Sequence, residues 1–414
     1  MQLTQQIKIK VTKEQDSLLI TLSEKCRLIY NFALTERREG LKLKSPVGYA
    51  KQQNDLPRIK KKYPEYSWVY SKVLQMTLKK LDADYKSFFA LQKKDSTAQP
   101  PHYKGKKFFT TMCFNQSGFK FESGKVELSH KHPSQTKLKF DIPEKFSSFK
   151  KVVQVELYKK DGSYWLSIIH EVEDKPFVNN ELYQTFDLGI SKQTAVNMEG
   201  KFFEVKPQRP DRYWSDSLSS VQSRRDHCKK FSNKWKFLNF IVKKIKRKSS
   251  NQMKDNLHKM SKKVIENTKA NTIIVGDISP KQMCQIDKRQ KGLHASLQNT
   301  GIISRFVGFL TYKAQIVGKR VVENSEYKSS QRCCVCRAEH KMPLHVREYI
   351  CDVCGNRMDR DRNSAVNSMI DYLSQNGLWT AYWRFVNNLR QTGITIVSHS
   401  QEAMTSNHES LGHV

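Results

Sequence analysis

Residues 183–206 read YQTFDLGISKQTAVNMEGKFFEVK, and their alternation decides the architecture. YQTFDLGI reads as a buried strand ending at Asp187, Gly189 to Gln193 as a turn, TAVNM as a second strand, Glu199 and Gly200 as another turn, and KFFEVK as a third strand. Working outward, residues 214–268 look helical, with Trp235, Leu238, Val242 and Ile245, then Met253, Leu257, Met260 and Val264, at three- and four-residue steps. NTIIVGDIS (271–279) is a short apolar run and reads as a buried parallel strand; a helix is expected over Phe306 to Val317 and a strand over KRVVEN (319–324). Strand and helix in alternation make a mostly parallel sheet the economical arrangement.

Three consecutive strands with an acid closing the first describe the opening of an RNase H-like fold. Upstream the pattern differs. Leu18, Leu22, Cys26, Ile29 and Phe32, then Leu74, Leu78, Leu81, Tyr85 and Phe88, mark two helices with one buried face each, and Pro57 and Pro64 break the chain between them. From about residue 104 to 178 the segments alternate, and VVQVELYKK and SYWLSIIHEVE flank Asp161-Gly162, a strong hairpin signal. This is an antiparallel β module.

The chain has 414 residues, 73 Lys and Arg against 40 Asp and Glu, and a formal charge of +33. A surplus of that size repels itself in a compact molecule and points to a polyanionic partner, nucleic acid above all, not to ordinary metabolic chemistry. A 38% hydrophobic share excludes global disorder. No run approaches the ~18 apolar residues of a membrane helix, and Met1 to Thr12 lacks the apolar core of a signal peptide, so a cytoplasmic, nucleoid-associated protein of a prokaryote is expected. Lys104, Lys106 and Lys107 beside Phe108 and Phe109 suit a nucleic-acid strand, as does the run Lys243, Lys244, Lys246, Arg247 and Lys248, although such a run is often only a solvated face.

Of nine cysteines, Cys333-x-x-Cys336 and, after 14 residues, Cys351-x-x-Cys354 have the spacing of two zinc knuckles. Four thiolates leave no open position, so this zinc is structural; Cys334 does not fit the spacing and reads as a bystander. Lys328, Arg332, Arg337 and Lys341 give the ribbon a basic surround. Acids at segment ends form a second pattern: Asp187 closes its strand, and Asp359 and Asp361 lie in DRDRNSAVNSM, where Asp361 is placed to cap a helix running to about Leu373. Carboxylates at the ends of neighbouring elements can share hard divalent cations for phosphodiester hydrolysis.

FDLGI, HKMSKKVIEN, NTIIVGDIS, LTYKAQIVGKRVVE, the CxxC pair and DRDRNSAVN, in that order, resemble the TnpB (OrfB) family of insertion-sequence proteins, relatives of the type V CRISPR effectors. CRLIYNFAL and VLQMTLKKLDADYKSFF resemble the family's recognition lobe. The resemblance implies an α/β plus β-barrel protein: a split β-barrel wedge domain at 1–10 and 104–178, an α-helical recognition lobe at 11–103, a RuvC nuclease domain at 179–325 and 357–373, an inserted zinc ribbon at 326–356, and a tail at 374–414 expected to be disordered. It further implies an RNA-guided DNA endonuclease, monomeric with one guide RNA derived from the element end, that cuts double-stranded target DNA beside a short flanking motif with two Mg²⁺ ions. By position Asp187 matches the first RuvC acid and Asp361 the last. The middle acid is missing, since Gly276 stands at the end of the IIV strand. Three readings remain open: Glu326 substitutes from the neighbouring strand, resembling a branch with a relocated glutamate; Asp277 serves, although strand alternation turns it to the other face; or the site is dead and the protein is an RNA-guided repressor. A transposase that joins strands is the older reading of the family.

Overall fold

The computed structural model describes residues 1–122, 124–144, 149, 151–277, 301–343 and 345–396. The chain divides into two compact units, Met1–Glu173 and Asp174–Val414.

The first unit begins with strand β1 (Gln2–Ile9) and helix α1 (Lys13–Lys42), whose start is fixed by a capping box between Thr12 and Gln15. Helices α2 (Tyr49–Lys62) and α3 (Ser71–Gln92) follow, then β2 (Met112–Asn115), β3 (Phe119–Glu122), β4 (Lys125–Leu128), β5 (Leu138–Asp141), β6 (Lys151–Lys160) and β7 (Ser163–Glu171). Pro57, expected to break the chain, lies inside α2. Asp161 and Gly162 both adopt positive φ, 51° and 75°, so the β6–β7 hairpin turns as its Asp-Gly pair predicts.

The expected β-barrel does not close among the described residues. One sheet runs β1-β7-β6-β2, with β1 and β2 as its separate edges, and β3-β4-β5 form a second sheet. The physical reason lies in what covers the strands. Leu22, Leu74 and Leu78 from the helices join Ile7, Phe114, Val155 and Leu138 from both sheets in one apolar core, so helix faces do the covering that further strands would do in a barrel.

The second unit is a three-layer α/β/α arrangement. Strands β8 (Tyr183–Leu188), β9 (Gln193–Asn197) and β10 (Phe202–Val205) form an antiparallel meander. Helices α4 (Pro210–Tyr213), α5 (Ser215–Asp226) and α6 (Asn233–Asn267) lead to β11 (Thr272–Gly276). After α7 (Ile302–Ile316) come β12 (Arg320–Asn324), the short pair β13 (Glu348–Ile350) and β14 (Arg357–Asp359), and helices α8 (Arg360–Gln375) and α9 (Trp379–Gln391). The sheet order is β10-β9-β8-β11-β12, with β8, β11 and β12 mutually parallel. It is thus mixed, not mostly parallel, because short turns at Gly189 and Gly200 allow only antiparallel neighbours.

Strand alternation sorts the two faces. Phe186, Leu188, Ile273 and Val275 meet Leu257, Phe306 and Leu310 of α6 and α7, while Tyr183, Val196 and Ile274 meet Ala365, Met369 and Phe385 of α8 and α9. Residues 374–414, read as a disordered tail, therefore include helix α9, whose Phe385 and Leu389 are fully buried; residues 397–414 lie outside the described residues. The segment's apolar positions Ala381, Phe385, Val386 and Leu389 have helical spacing, and Lys and Arg are absent only beyond Arg390, where the helix is all but complete.

Candidate functional site

The parallel strands β8, β11 and β12 bring their carboxyl ends to one edge of the sheet, the usual place for a site in an open α/β sheet. Asp187 sits at that end of β8 and faces α8, where the Ser364 hydroxyl donates to its carboxylate at 3.1 Å. Thr185, two residues earlier on the same face, donates to the Ala365 carbonyl at 2.9 Å, so the strand and helix are pinned together immediately beneath the acid.

Gly276 ends β11 on this same face. A Cβ added there would overlap the Glu326 carboxyl and its Cγ, so the side chain of Glu326 occupies the volume an acid at 276 would use. Asp277 instead lines a cavity of about 470 Å³ with Glu323, Ile303 and Val307 of the α7 face. Burial, then the Asp361 charge, pushes the Asp187 carboxyl up to about 7. Burial, followed by the charges of Asp187 and Asp277, raises Glu326 to about 8. Two buried carboxyls at one strand edge are oxygen donors suited to a hard divalent ion.

Asp361 is 8% exposed in the first turn of α8, but it does not cap that helix. The cap is Asp359, which accepts from the backbone N–H of Asp361 at 2.9 Å and of Arg362 at 3.1 Å. The first Asp of DRDRN thus starts the helix and releases the second for the site. Cations surround Asp361: Arg360 at 3.2 Å, Lys192 at 3.6 Å and Arg347 at 3.9 Å. Lys192 also reaches Asp359 at 2.9 Å and Glu204 at 3.3 Å, a residue that composition gave no reason to single out. Among the described residues, only the four cysteines below form a group of His, Cys, Asp or Glu whose donor atoms all converge within 4.8 Å.

Those cysteines are Cys333, Cys336, Cys351 and Cys354. Sulfur pairs stand at 3.7 Å (Cys333–Cys354) and 3.5 Å (Cys336–Cys351), close to the ~3.8 Å edge of a tetrahedron with Zn–S bonds of about 2.3 Å. The residues fit a structural zinc. The His340 ring lies 3.2 Å from the Cys351 sulfur. Cys334 stands outside this set, as its spacing predicts; it is fully buried with Val366 and Met369 in the core on the α8 face, and its N–H donates to Asn363. Asn363 and Asn367 donate to the Arg332 carbonyl, and Arg332 and Arg337 both pair with Asp371 of α8. Arg332 and Arg337, expected to give the ribbon a basic surround, clamp it to α8 instead.

The other predicted contact residues are scattered. Lys104 is half-buried, with its ammonium 3.6 Å from the Tyr30 ring centroid, and burial lowers it to about 8; Lys106 and Lys107 are exposed. Lys243, Lys244, Arg247 and Lys248 are exposed on α6, and Lys246 as well.

The family model of the Cas12f1-like TNB domain matches residues 304–368, a stretch that holds Glu326, the four cysteines and Asp361. An OrfB IS605 helix-turn-helix model matches residues 1–44, which here are β1 and α1. The two matches support a TnpB/OrfB-type relative of the type V effectors. Among solved structures it is similar to the cryo-EM structure of a Cas12f1–sgRNA–target DNA complex, at 13% identity over 86% of this chain and 82% of that one, with a TM-score of 0.59. It is also similar to the mini-RNA-guided endonuclease CRISPR-Cas_phi3 (10% identity, 89% and 92% covered, TM-score 0.48) and to CasPhi-2 (Cas12j) bound to crRNA (8%, 97% and 99%, 0.46). At such identity the first likeness is one of fold. No curated protein matches the chain. No helix among the described residues is long and apolar enough to cross a membrane.

Proposed function

We propose that this relative of the type V effectors is an RNA-guided DNA endonuclease of a transposable element, with Asp187, Glu326 and Asp361 as its catalytic acids. The observation that carries the reading is the seat of Glu326: its carboxyl fills the place of a side chain at Gly276, beside Asp187 and on the face of α8, so the missing middle acid arrives from the segment after β12. A third acid at a shared strand edge turns two isolated carboxylates into a set.

These three residues would hold two Mg²⁺ ions, which supply an activated water and charge stabilisation at the leaving oxygen in phosphodiester hydrolysis. The chain's own groups prepare that site. Ser364 orients Asp187, Asp359 fixes the turn that presents Asp361, and Lys192 neutralises the Asp359–Asp361 pair. The four cysteines hold one structural Zn²⁺. The guide RNA comes from the element end and reads sequence by pairing, the protein reads a short motif flanking the target, and one chain works with one RNA; a charge of +33 suits backbone contacts along such a heteroduplex. Residues 1–10 with 104–178 serve as wedge, 11–103 as recognition lobe, 179–325 with 357–373 as RuvC domain and 326–356 as ribbon; Lys106, Lys107 and the basic face of α6 contact nucleic acid.

The test is cleavage of DNA that bears the complement of the copurifying RNA and a randomised flank. Cutting beside one flank, lost in Glu326→Gln with DNA binding kept, is the expected result. Binding without cutting in both chains identifies a repressor.

A further inference from the structure

Helices α5 and α6 form an antiparallel hairpin: the Trp214 indole donates to Gln252 at 2.7 Å near one end, and Arg225 donates to Asn239 at 3.3 Å near the other. Leu238 and Val242 form the inner side of α6 and are buried. Its outer side is unusual. Phe237 is 63% exposed and Phe240 62%, and Phe231, in the turn that enters α6, is 65% exposed. Three open phenylalanines within ten residues are costly for a free surface and mark contact with something.

The surrounding charge says what. From His227 through Lys254 the chain carries ten Lys and Arg and no Asp or Glu. Phe237, Phe240, Lys244 and Arg247 fall on one stripe of the helix, at steps of three, four and three residues. The two rings stand about 4.5 Å apart along the axis, with the first cation about 6 Å beyond. Lys230 lies 5.4 Å from the centroid of Phe231, which in turn packs against Trp235. A second copy of this chain is excluded as the occupant by like charge, since ten cations would face ten. A duplex hides its base faces, whereas an unpaired strand offers bases to the rings and phosphates to the lysines.

We propose that the outer face of the α5–α6 hairpin, led by Phe237 and Phe240, is a stacking platform for unpaired RNA. The choice of RNA rests on the RNA-guided reading above; the preference for unpaired bases rests on the exposed rings alone.

The test uses the full chain and three fluorescent probes without any guide sequence: a single-stranded oligouridylate, an RNA duplex and an oligothymidylate, each titrated over a range of salt. In Phe237→Ala/Phe240→Ala, affinity for the RNA single strand is expected to fall about 5- to 150-fold for each ring with an unchanged salt slope, and affinity for the duplex to stay within a factor of two or so. Lys243→Gln/Lys244→Gln should instead flatten the slope on single strands by about 0.7 for each lysine. Phe237→Trp/Phe240→Trp should keep tight binding, and circular dichroism of each variant reports that the helix persists. Equal losses on single strand and duplex, or no loss, overturn the platform. Tighter binding of the oligothymidylate than of the oligouridylate overturns the assignment to RNA. Ring-dependent binding to anionic vesicles in place of RNA also overturns it. Asp187→Ala is expected to bind the probes like the unmodified chain, so a preparation that fails to cut DNA leaves this inference standing, and a failed platform leaves the nuclease reading standing.

Discussion

The Glu326 carboxyl lies over Gly276, in the space where a side chain at that position would begin. Glycine is therefore required at the end of β11, not for its backbone freedom but for the room it leaves. The atoms a Cβ would meet belong to the far end of a flexible side chain, so Gly276→Ala is expected to displace Glu326 at little cost to the fold. Thermal melting should change by only a few degrees, while cleavage falls by about two orders of magnitude or more, the scale of losing an essential electrostatic contributor. The pair exchange Gly276→Glu/Glu326→Ala, which returns an acid to the strand end, should recover part of that loss; no recovery would show that the acid's origin matters as much as its presence.

How this site could be read in advance depended on which cue carried it. Asp187 announced itself through a strand-ending acid, and Glu326 was reachable only through the family resemblance, because nothing local distinguishes Glu-Tyr-Lys-Ser from a solvated loop. The sequence places the cap at Asp361 and the structure at Asp359, because both positions satisfy the same preference and only the backbone hydrogen bonds separate them. Lys192 was invisible, since its partners Glu204, Asp359 and Asp361 come together through sheet order. The open β module was missed for a related reason: alternation shows that a strand has one buried face, not whether a helix or another strand covers it.

The raised carboxyls make the metal-free chain sensitive to pH. Asp187 and Glu326 hold protons in the folded state, up to about 7 and about 8, that the unfolded chain releases near 4. The folded state therefore binds more protons between those limits, and stability falls as pH rises from about 4 through 8. A melting series in chelator should show this decline, with Glu326→Gln flattening it and raising the melting temperature at pH 8. Mg²⁺ should restore stability at pH 8 and do little at pH 5, where protons occupy the same oxygens. A flat profile would mean the carboxyls are solvated.

Asp359 and Asp361 separate structure from chemistry within one tripeptide. Asp359→Ala removes an N-cap worth about 1 kcal/mol and frees Lys192, so lower stability with partial cutting is expected. Asp361→Asn keeps the helix start and should abolish cutting while DNA binding persists. Melting and cleavage measured on both variants decide this, and similar effects on both properties would count against the division of roles.

The ribbon depends on two attachments that respond differently. Its cysteines hold their own fold, so Cys351→Ser or strong chelation should release zinc and lose β13 and β14, measured as a fall from one zinc per chain by elemental analysis and as fast amide exchange over 333–359. The clamp to α8 is a separate matter. Asp371 is the shared partner of Arg332 and Arg337, and Asp371→Ala strands two guanidinium groups at a largely buried contact, at a cost of about 3 kcal/mol. Zinc content should stay at one per chain, because none of the four thiolates is touched. Cutting should nevertheless drop, because Glu326 lies between β12 and the clamped segment and loses its seat over Gly276 when that segment moves. Exchange protection over Ser325 to Arg332 reports that movement directly, and intact protection there with lost cutting would place the effect elsewhere.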